Sequence, residues 1–363
     1  MSQTGIPFLF MRGGTSRGPY FNRADLPESP EELSRVLVSV VGSGHPLNID
    51  GIGGGAAVTT KVAMLSKSNE NWADVDYFFA QVSVEDGLVD FKPTCGNILS
   101  GVGPAALEMG IMEASGDVTE VRIRAVNTGA RVIAKVATPG GGVEYQGGVH
   151  IDGVPGTAAA IELAFMDVAG SSTGAFLPTG HLIDEVEGVE VTCMDVAMPI
   201  VIARAADFGL SGYEGCEAID SNSEFMDRME TVRRAAAIKM GMGDVSKSVT
   251  PKFALLAPPC KGGTIATRYL MPWACHPTMA VTGGQCLASC AMTPGTVADG
   301  LALRPEGSPA HVVLEHPSGK MEVILDYEPA ELGLDIRSAG VIRTARKLAS
   351  GMVFIPDTEL VSS

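Results

Sequence analysis

Short β-branched segments recur along this chain of 363 residues, and they limit the possible folds more than any other feature. Most are bounded by glycine, proline, asparagine or aspartate, which is typical of strands joined by turns. Many strands with few helices predict an α+β architecture and argue against a doubly wound sheet, in which strands and helices alternate. The predicted strands are 7–11, 58–66, 77–84, 121–127, 131–135, 189–193, 199–204, 252–256, 264–270, 311–315, 321–327 and 351–355.

Only a few segments carry the signals of a helix. One begins at Ser29-Pro30, a capping residue followed by a proline in the first turn. Another contains a long amphipathic run that ends at Gly241, and a later one is stopped by Pro294. The predicted helices are 29–41, 101–110, 221–242 and 284–292.

The chain is strongly acidic, with 26 lysine and arginine residues against 42 aspartate and glutamate residues and a net charge of −16. Nucleic acids and anionic membrane surfaces bind to basic patches, so neither is expected as a partner. No apolar stretch approaches the ~18 residues that a membrane span needs. An acidic protein that binds a polyanion must collect its few cations locally. The candidates are Arg12, Arg17, Lys252, Lys261 and Arg268.

The seven cysteines are odd in number and include no CxxC pair. This spacing supports neither a zinc site nor a disulfide framework, so no metal ligand set is expected. Reduced thiols indicate a cytoplasmic location. Residues 1–14 lack the basic start of a signal peptide and are predicted to contain a first strand.

One loop carries a chemically useful set of groups. Cys95-Gly96-Asn97 and Ile98 stand shortly before the helix predicted at 101–110. The unpaired N–H groups at a helix N-terminus favour negative charge, so a cysteine there is biased toward its thiolate and a carboxylate can bind beside it. The loop is therefore a candidate for catalysis and substrate binding. The alternative is a small buried cysteine in front of a helix.

A glycine-rich loop that includes Gly53 and Gly54 leads into a β-branched segment with a single lysine, Lys61. The glycines allow the backbone to approach a ligand closely. Either the stem of Lys61 carries its amine to solvent, or the amine lies in a pocket with a lowered pKa and acts as a base. The loop matches neither the dinucleotide fingerprint nor a P-loop, so no phosphate cofactor is expected.

Several motifs are specific in combination and extend from the first ten residues to the last ten. They are Met11-Arg12-Gly13-Gly14-Thr15-Ser16-Arg17-Gly18, Asp50-Gly51-Ile52-Gly53-Gly54 with Lys61, Cys95-Gly96-Asn97, His276-Pro277-Thr278-Met279-Ala280-Val281-Thr282-Gly283, and the tail segments 343–348 and 351–356. Together they resemble the family of 4-oxalomesaconate tautomerases and methylaconitate cis-trans isomerases. The resemblance implies that a lysine and a cysteine, here Lys61 and Cys95, move a proton within a small unsaturated tricarboxylate without a cofactor.

The resemblance also implies two lobes with the diaminopimelate epimerase fold. Each lobe would be a mixed, largely antiparallel sheet wrapped around a central helix, with the active site in the cleft between the lobes. The N-terminal lobe would comprise 1–182 and a returning C-terminal strand in 345–363, and the C-terminal lobe would comprise 183–344. The boundary is expected near 179–184, after a loop rich in serine, threonine and glycine.

The two halves contain similar motifs before a helix, Gly96-Asn97 in one and Thr282-Gly283 in the other. We expect both helix N-termini to anchor carboxylates of one substrate. Arg12 with Thr15-Ser16 would hold one carboxylate, Arg268 would hold another, and the imidazole of the histidine before Pro277 could donate to a carboxylate or stay exposed. The candidate substrate-binding residues are Arg12, Gly13, Thr15, Ser16, Gly53, Gly54, Gly96, Asn97, Ile98, Arg268, His276, Thr282 and Gly283.

Within the family, the short length and residues 11–18 look more like the oxalomesaconate tautomerases of gallate and protocatechuate breakdown. The expected reaction is a cofactor-independent keto–enol tautomerisation or allylic 1,3-proton shift in 4-oxalomesaconate. Either Lys61 or Cys95 is the base, and the sequence leaves that choice open. Cys95 would deliver the proton at the far carbon or donate a hydrogen bond to the delocalised anion.

Three alternatives differ in class. One is a 2-methylaconitate or aconitate isomerase of propionate metabolism, and another is a non-catalytic polycarboxylate-binding accessory protein, which would not need Lys61. A cofactor-free amino-acid racemase would need a second thiol across the cleft, and Thr282-Gly283 stands where that thiol would be expected. The protein partner that we expect is a second copy of the chain in a homodimer.

Overall fold

The computed structural model describes residues 2–359 and contains seventeen strands over them. Their burial patterns either alternate or are apolar throughout, as expected for sheets covered on one or both faces. The strands are β1 (Gln3–Gly13), β2 (Ser16–Asn22), β3 (Lys61–Lys67), β4 (Val75–Val82), β5 (Val89–Asp90), β6 (Val118–Ala125), β7 (Arg131–Ala137), β8 (Ile161–Met166), β9 (Asp184–Val186), β10 (Val189–Asp195), β11 (Pro199–Arg204), β12 (Lys252–Ala257), β13 (Ile265–Leu270), β14 (Ala310–His316), β15 (Gly319–Pro329), β16 (Leu334–Arg343) and β17 (Ala345–Pro356).

Helices are fewer and mostly short. The first begins at a proline and ends just before Gly42, the C-cap residue, whose left-handed φ of 77° terminates it. The longest begins after Asn222, whose side chain accepts a hydrogen bond from Phe225 N. Over residues 2–359, no helix is long and apolar enough to cross a membrane. The α-helices are α1 (Pro30–Val41), α2 (Gly96–Leu99), α3 (Val102–Glu108), α4 (Cys216–Asp220), α5 (Ser223–Lys239) and α6 (Val281–Met292).

The predicted helices are confirmed with shifted ends, and most of the predicted strands are present. The sequence pattern does not predict five of the observed strands, which are β2, β5, β8, β9 and β16. Gly18-Pro19 interrupts the first of these, and glycine and proline are rare in strands. β3 begins at Lys61 instead of 58, because Ala57–Thr59 forms a turn of 3₁₀ helix in front of it.

The chain folds as two compact units, and the first contains the described residues up to Ala164 and those from Ile342 onward. In it β1 pairs antiparallel with β2 and, along its whole length, with β17. β2 runs parallel to β3, β3 is antiparallel to β4, β4 is parallel to β6, and β6 is antiparallel to β7. α1 packs on β4, β5 and β17, whereas α2 and α3 pack on β1, β2, β3 and β7.

The second unit runs from Phe165 to Val341 and is also a mixed sheet with few helices. β9, β10 and β11 are antiparallel, β12 is parallel to β11 and antiparallel to β13, and β14, β15 and β16 are antiparallel. α6 is buried from Gly283 to Met292 and packs on β10, β11, β14 and β15. The mixed parallel and antiparallel pairing of many strands, with few helices, confirms the α+β class.

The first unit ends at Ala164, earlier than the 179–184 that the sequence indicates. Buried Asp195 holds the intervening segment in the second unit. Its carboxylate accepts hydrogen bonds from Ser172 N at 2.8 Å and from Thr173 N at 2.7 Å. A buried carboxylate needs such partners, so the loop that resembles a linker is part of the second unit.

The contact between β2 and β3 leads to a prediction about Gly18. A Cβ at this position would lie 1.8 Å from Lys61 O, a backbone atom. We expect Gly18→Ala to lower the free energy of unfolding by about 2 kcal/mol or more, because the two strands would have to separate. Gly351→Ala on β17 is the control, because a Cβ there meets nothing within 4 Å. Urea denaturation of both variants measures the difference, and equal stability of the two would contradict the prediction.

Candidate functional site

The turn between β1 and β2 lies against the segment that follows Cys95. Gly14 has a φ of 52°, which glycine adopts without strain. A Cβ on Gly14 would lie 2.1 Å from Asn97 Oδ1, and a Cβ on Gly13 would lie 2.5 Å from Asn97 O. Thr15 N also donates a hydrogen bond to Asn97 Oδ1 at 3.4 Å. The two glycines therefore allow the hairpin turn to contact Asn97 directly.

Cys95 is the capping residue of α2, so a helix begins immediately after it instead of at 101. Its side chain is 8% exposed and makes no capping hydrogen bond. Leu99 N donates to Cys95 O at 2.8 Å, which fixes the backbone. A Cβ on Gly96 would meet nothing within 4 Å, so the space next to this glycine is open.

Lys61 is the first residue of β3 and is half-buried. Its Nζ lies 5.4 Å from the ring centroid of Phe79, on the neighbouring strand. In the part of the chain that the structure describes, no carboxylate lies within ion-pair distance of this amine. The contact with the Phe79 ring is therefore the charged-group interaction that the structure shows for this amine.

Three buried aromatic residues support these segments, and the sequence analysis did not single them out. Tyr20 Oη donates to Ile98 O at 2.5 Å, and Tyr77 Oη donates to Cys95 O at 3.3 Å. The rings of Tyr77 and Phe79 are 6.3 Å apart. Two aromatic residues at a spacing of two in the strand predicted at 77–84 are the signal that could have identified this face.

The tyrosine hydroxyls remain hydrogen-bond donors over the ordinary pH range. Burial raises the pKa of Tyr20 and of Tyr77 well above the usual value, and the nearby Cys95 raises both further. Because neither hydroxyl ionises near neutral pH, the two hydrogen bonds to the backbone around Cys95 persist.

The two glycines of the loop before β3 have different surroundings. A Cβ on Gly53 would lie 2.7 Å from Val41 O, and Gly53 N donates to the same oxygen at 3.0 Å. Gly53 therefore ties the loop to the end of α1. A Cβ on Gly54 would lie 2.8 Å from Arg17 Nη2 and 2.7 Å from Thr59 Oγ1, so this glycine makes room for the arginine.

A cavity of about 160 Å³ opens beside the hairpin turn. It contains two of the candidate cations and several hydroxyl groups, which are the groups that bind carboxylates. The residues that line it are Arg12, Thr15, Ser16, Arg17, Thr59, Gly153, Val154 and Pro155.

Arg12 also has a structural task. Its Nη1 donates to Gly14 O at 2.9 Å and to Thr344 O at 3.0 Å, and so joins the hairpin turn to the start of β17. Burial lowers the pKa of Arg12, and the neighbouring Arg346 lowers it further. Among residues 2–359, the hydrogen bonds of this guanidinium all start from Nη1.

Arg268 lies on β13 in the second unit and is 6% exposed. Its Nε donates to Glu214 O at 2.6 Å and its Nη1 donates to Thr267 O at 2.8 Å. Burial lowers its pKa. The guanidinium is thus partly occupied by backbone oxygens. Two thiols lie beside it, Cys216 and Cys275, with their sulfurs 3.1 Å apart.

The other predicted residues of the second unit lie near the start of α6. His276 Nδ1 accepts a hydrogen bond from Thr278 N at 3.0 Å, and burial lowers the pKa of the imidazole. Thr282 and Gly283 form the first turn of α6. A Cβ on Gly283 would lie 2.6 Å from the ring of Tyr269, so this glycine allows the helix to pack on β13.

The structure places one group of predicted residues around the β1–β2 turn and another in the second unit. Within residues 2–359, no three His, Cys, Asp or Glu side chains are grouped so that they could hold a metal ion. The first group is Arg12, Gly13, Thr15, Ser16, Lys61, Cys95, Gly96, Asn97 and Ile98, and Gly54 joins it through Arg17. The second group is Arg268, His276, Thr282 and Gly283.

Comparison with known proteins gives consistent matches over the whole chain. The family model described as PrpF protein matches residues 3–356. The chain is 48% identical to the 4-oxalomesaconate tautomerase of Pseudomonas putida, over 98% of this chain and 97% of that protein. It is 45% identical to the (4E)-oxalomesaconate Delta-isomerase of a Novosphingobium species, over 96% and 97%. The crystal structure of a methylitaconate-delta-isomerase superposes with a TM-score of 0.91 at 33% identity and covers 100% of this chain and 98% of that one.

The burial of the thiols predicts their order of alkylation. Cys260 is exposed and should react with iodoacetamide first. Cys193 and Cys290 should remain unmodified in the native protein, because burial raises the pKa of each to about 12. Cys95 should react at an intermediate rate. Peptide mass mapping over time measures each rate, and unfolding in urea should make the rates similar. Fast labelling of native Cys193 would show the prediction to be wrong.

Proposed function

The chain belongs to the PrpF protein family, and we propose that it is an isomerase that moves a proton within 4-oxalomesaconate. Two relatives, 48% and 45% identical to it, are named for oxalomesaconate. The observation that supports the proposal most is that Lys61 and the Cys95 segment lie against the same hairpin. Gly18 contacts Lys61 O, and Gly14 contacts Asn97. The reaction would be a keto–enol tautomerisation or an allylic 1,3-proton shift without a cofactor.

In the proposed mechanism, the neutral amine of Lys61 removes a proton next to the carbonyl or conjugated acid. The negative charge spreads over the dienolate, and Arg12 with the donors of the hairpin turn stabilises it. The Cys95 thiol then gives its proton to the far carbon. Proton exchange with water restores both groups. In the reverse assignment, a Cys95 thiolate removes the proton and the Lys61 ammonium donates one, so the number of protons is again conserved.

We place this reaction in the cytoplasm, in the breakdown of gallate- and protocatechuate-type aromatic compounds, and a small polycarboxylate is its only proposed ligand. A 2-methylaconitate or aconitate isomerase is the second candidate, since the same proton chemistry serves both substrates. The lower identity of 32% to the 2-methyl-aconitate isomerase of Shewanella oneidensis supports that class less strongly. A non-catalytic accessory protein would have no need for the arrangement around Lys61.

The proposed substrate can be tested with the purified protein by ultraviolet absorbance. We expect 4-oxalomesaconate to be turned over with a kcat/KM at least about 10-fold above that for 2-methyl-cis-aconitate, a difference of about 1.4 kcal/mol in transition-state stabilisation. EDTA should leave the rate unchanged, because the proposed mechanism uses only protein acids and bases. Preference for methylaconitate would favour the second candidate, and no turnover of either substrate would favour the accessory protein.

Removing the proposed base gives a second test. Lys61→Met should lower kcat by ~10²–10⁴-fold, the usual contribution of a general acid or base, while the protein remains folded. Lys67→Met is the matched control, because Lys67 ends the same strand and is exposed. Its rate should equal that of the unmodified protein. A Lys61→Met variant with a nearly normal rate would remove Lys61 from the mechanism.

A further inference from the structure

Three arginines lie side by side on three neighbouring strands. Arg12 on β1 stands directly opposite Arg17 on β2 and directly opposite Arg346 on β17. Residues that face each other in an antiparallel pair project from the same side of the sheet. The three side chains therefore form a row centred on Arg12, which we call the arginine row.

The arginine row has no counter-charge. Over residues 2–359, none of its three members has a carboxylate within ion-pair distance. By contrast, Arg122 and Arg124 of the same unit form ion pairs with Asp74 and Asp76 at 2.6 and 2.5 Å. Like charges opposite each other destabilise a sheet. In a chain with a net charge of −16, three adjacent unpaired cations indicate a ligand that is an anion.

Arg17 is positioned by contacts that leave its charge unpaired. Its guanidinium carbon lies 5.8 Å from the ring centroid of Phe10. Its Nη2 occupies the space that the missing Cβ of Gly54 leaves free. The side chain lines the 160 Å³ cavity together with Arg12 and Thr59. A planar guanidinium that is already held in place loses little conformational freedom when it binds a carboxylate.

We propose that Arg17 and Arg12 together bind one carboxylate in this cavity, and that Arg346 strengthens the positive potential around it. Arg17 is then a specificity-determining residue that makes the site prefer tricarboxylates to dicarboxylates. That the bound tricarboxylate is the substrate rests on the proposed function, whereas the preference itself can be measured by binding alone.

Two unreactive ligands test the preference. Tricarballylate and glutarate have the same carbon chain, and tricarballylate carries one additional, central carboxylate. By calorimetry, the unmodified protein should bind tricarballylate more tightly, and the difference should decrease as the salt concentration rises. Arg17→Met should weaken tricarballylate binding by about 10-fold or more and glutarate binding by less than about threefold. Arg17→Lys should recover part of the loss, because it keeps the charge but not the planar pair of donors.

Arg35→Met is the matched control. Arg35 lies on α1 of the same unit, pairs with Glu31 at 3.5 Å and does not line the cavity. The Arg35→Met substitution removes the same charge as Arg17→Met and should leave the affinities for tricarballylate and glutarate unchanged. Thermal melts without ligand establish that each variant is folded. The proposal is overturned by an equal loss in Arg35→Met, by an equal loss for the two ligands in Arg17→Met, or by no loss in that variant.

The binding experiment tests the role of Arg17, the turnover experiment tests the proposed function, and either can give a negative result without the other. A protein that does not turn over 4-oxalomesaconate but shows an Arg17-dependent preference for tricarballylate would refute the proposed function and retain the tricarboxylate site. A protein that turns over 4-oxalomesaconate, but whose Arg17→Met variant binds tricarballylate and glutarate as tightly as the unmodified protein does, would refute the role of Arg17 and retain the proposed function.

Discussion

The close approach of the β1–β2 hairpin to the backbone of its neighbours is the constraint on which the site depends. Gly18 allows β2 to lie against Lys61 O, and Gly14 allows the turn to lie against Asn97. Any side chain at these positions would separate the hairpin from β3 or from α2. The segments that carry Lys61 and Cys95 are thus positioned by backbone contacts, which change little when side chains move. Burial of Tyr20 and Tyr77 reinforces the arrangement, because their hydroxyls bond the backbone around Cys95.

The arginines of the first unit fall into two groups, those that form ion pairs and those that do not. Arg122 and Arg124 of the first unit form ion pairs with the nearby carboxylates of Asp74 and Asp76. The arginine row has no such partner and includes Arg12, which also ties the turn to Thr344. An acidic chain that keeps a few cations unpaired concentrates its positive potential at one place. Repulsion within the row is the energetic cost of that arrangement, and a bound anion would relieve it.

The two units contain similar glycine motifs, but the surroundings of these glycines differ. In the first, Cys95 precedes a helix of four residues, and the glycine after it leaves free space. In the second, the corresponding glycine, Gly283, lies inside the first turn of α6. The ring of Tyr269 occupies the space that a side chain at Gly283 would need. A glycine that accommodates a buried ring contributes to packing. Similar sequence motifs before two helices therefore do not give two equivalent sites.

The sequence by itself determined the α+β class and the main helices, because periodicity and turn residues are local properties, and its motifs made Lys61 and Cys95 candidates through their resemblance to a known family. The tertiary structure decided which residues and segments become neighbours. Strand register placed Arg346 beside Arg12, and no local pattern encodes which strands become neighbours. It also assigned the loop after Ala164 to the second unit, because the buried carboxylate of Asp195 requires hydrogen-bond donors that only the folded chain can supply.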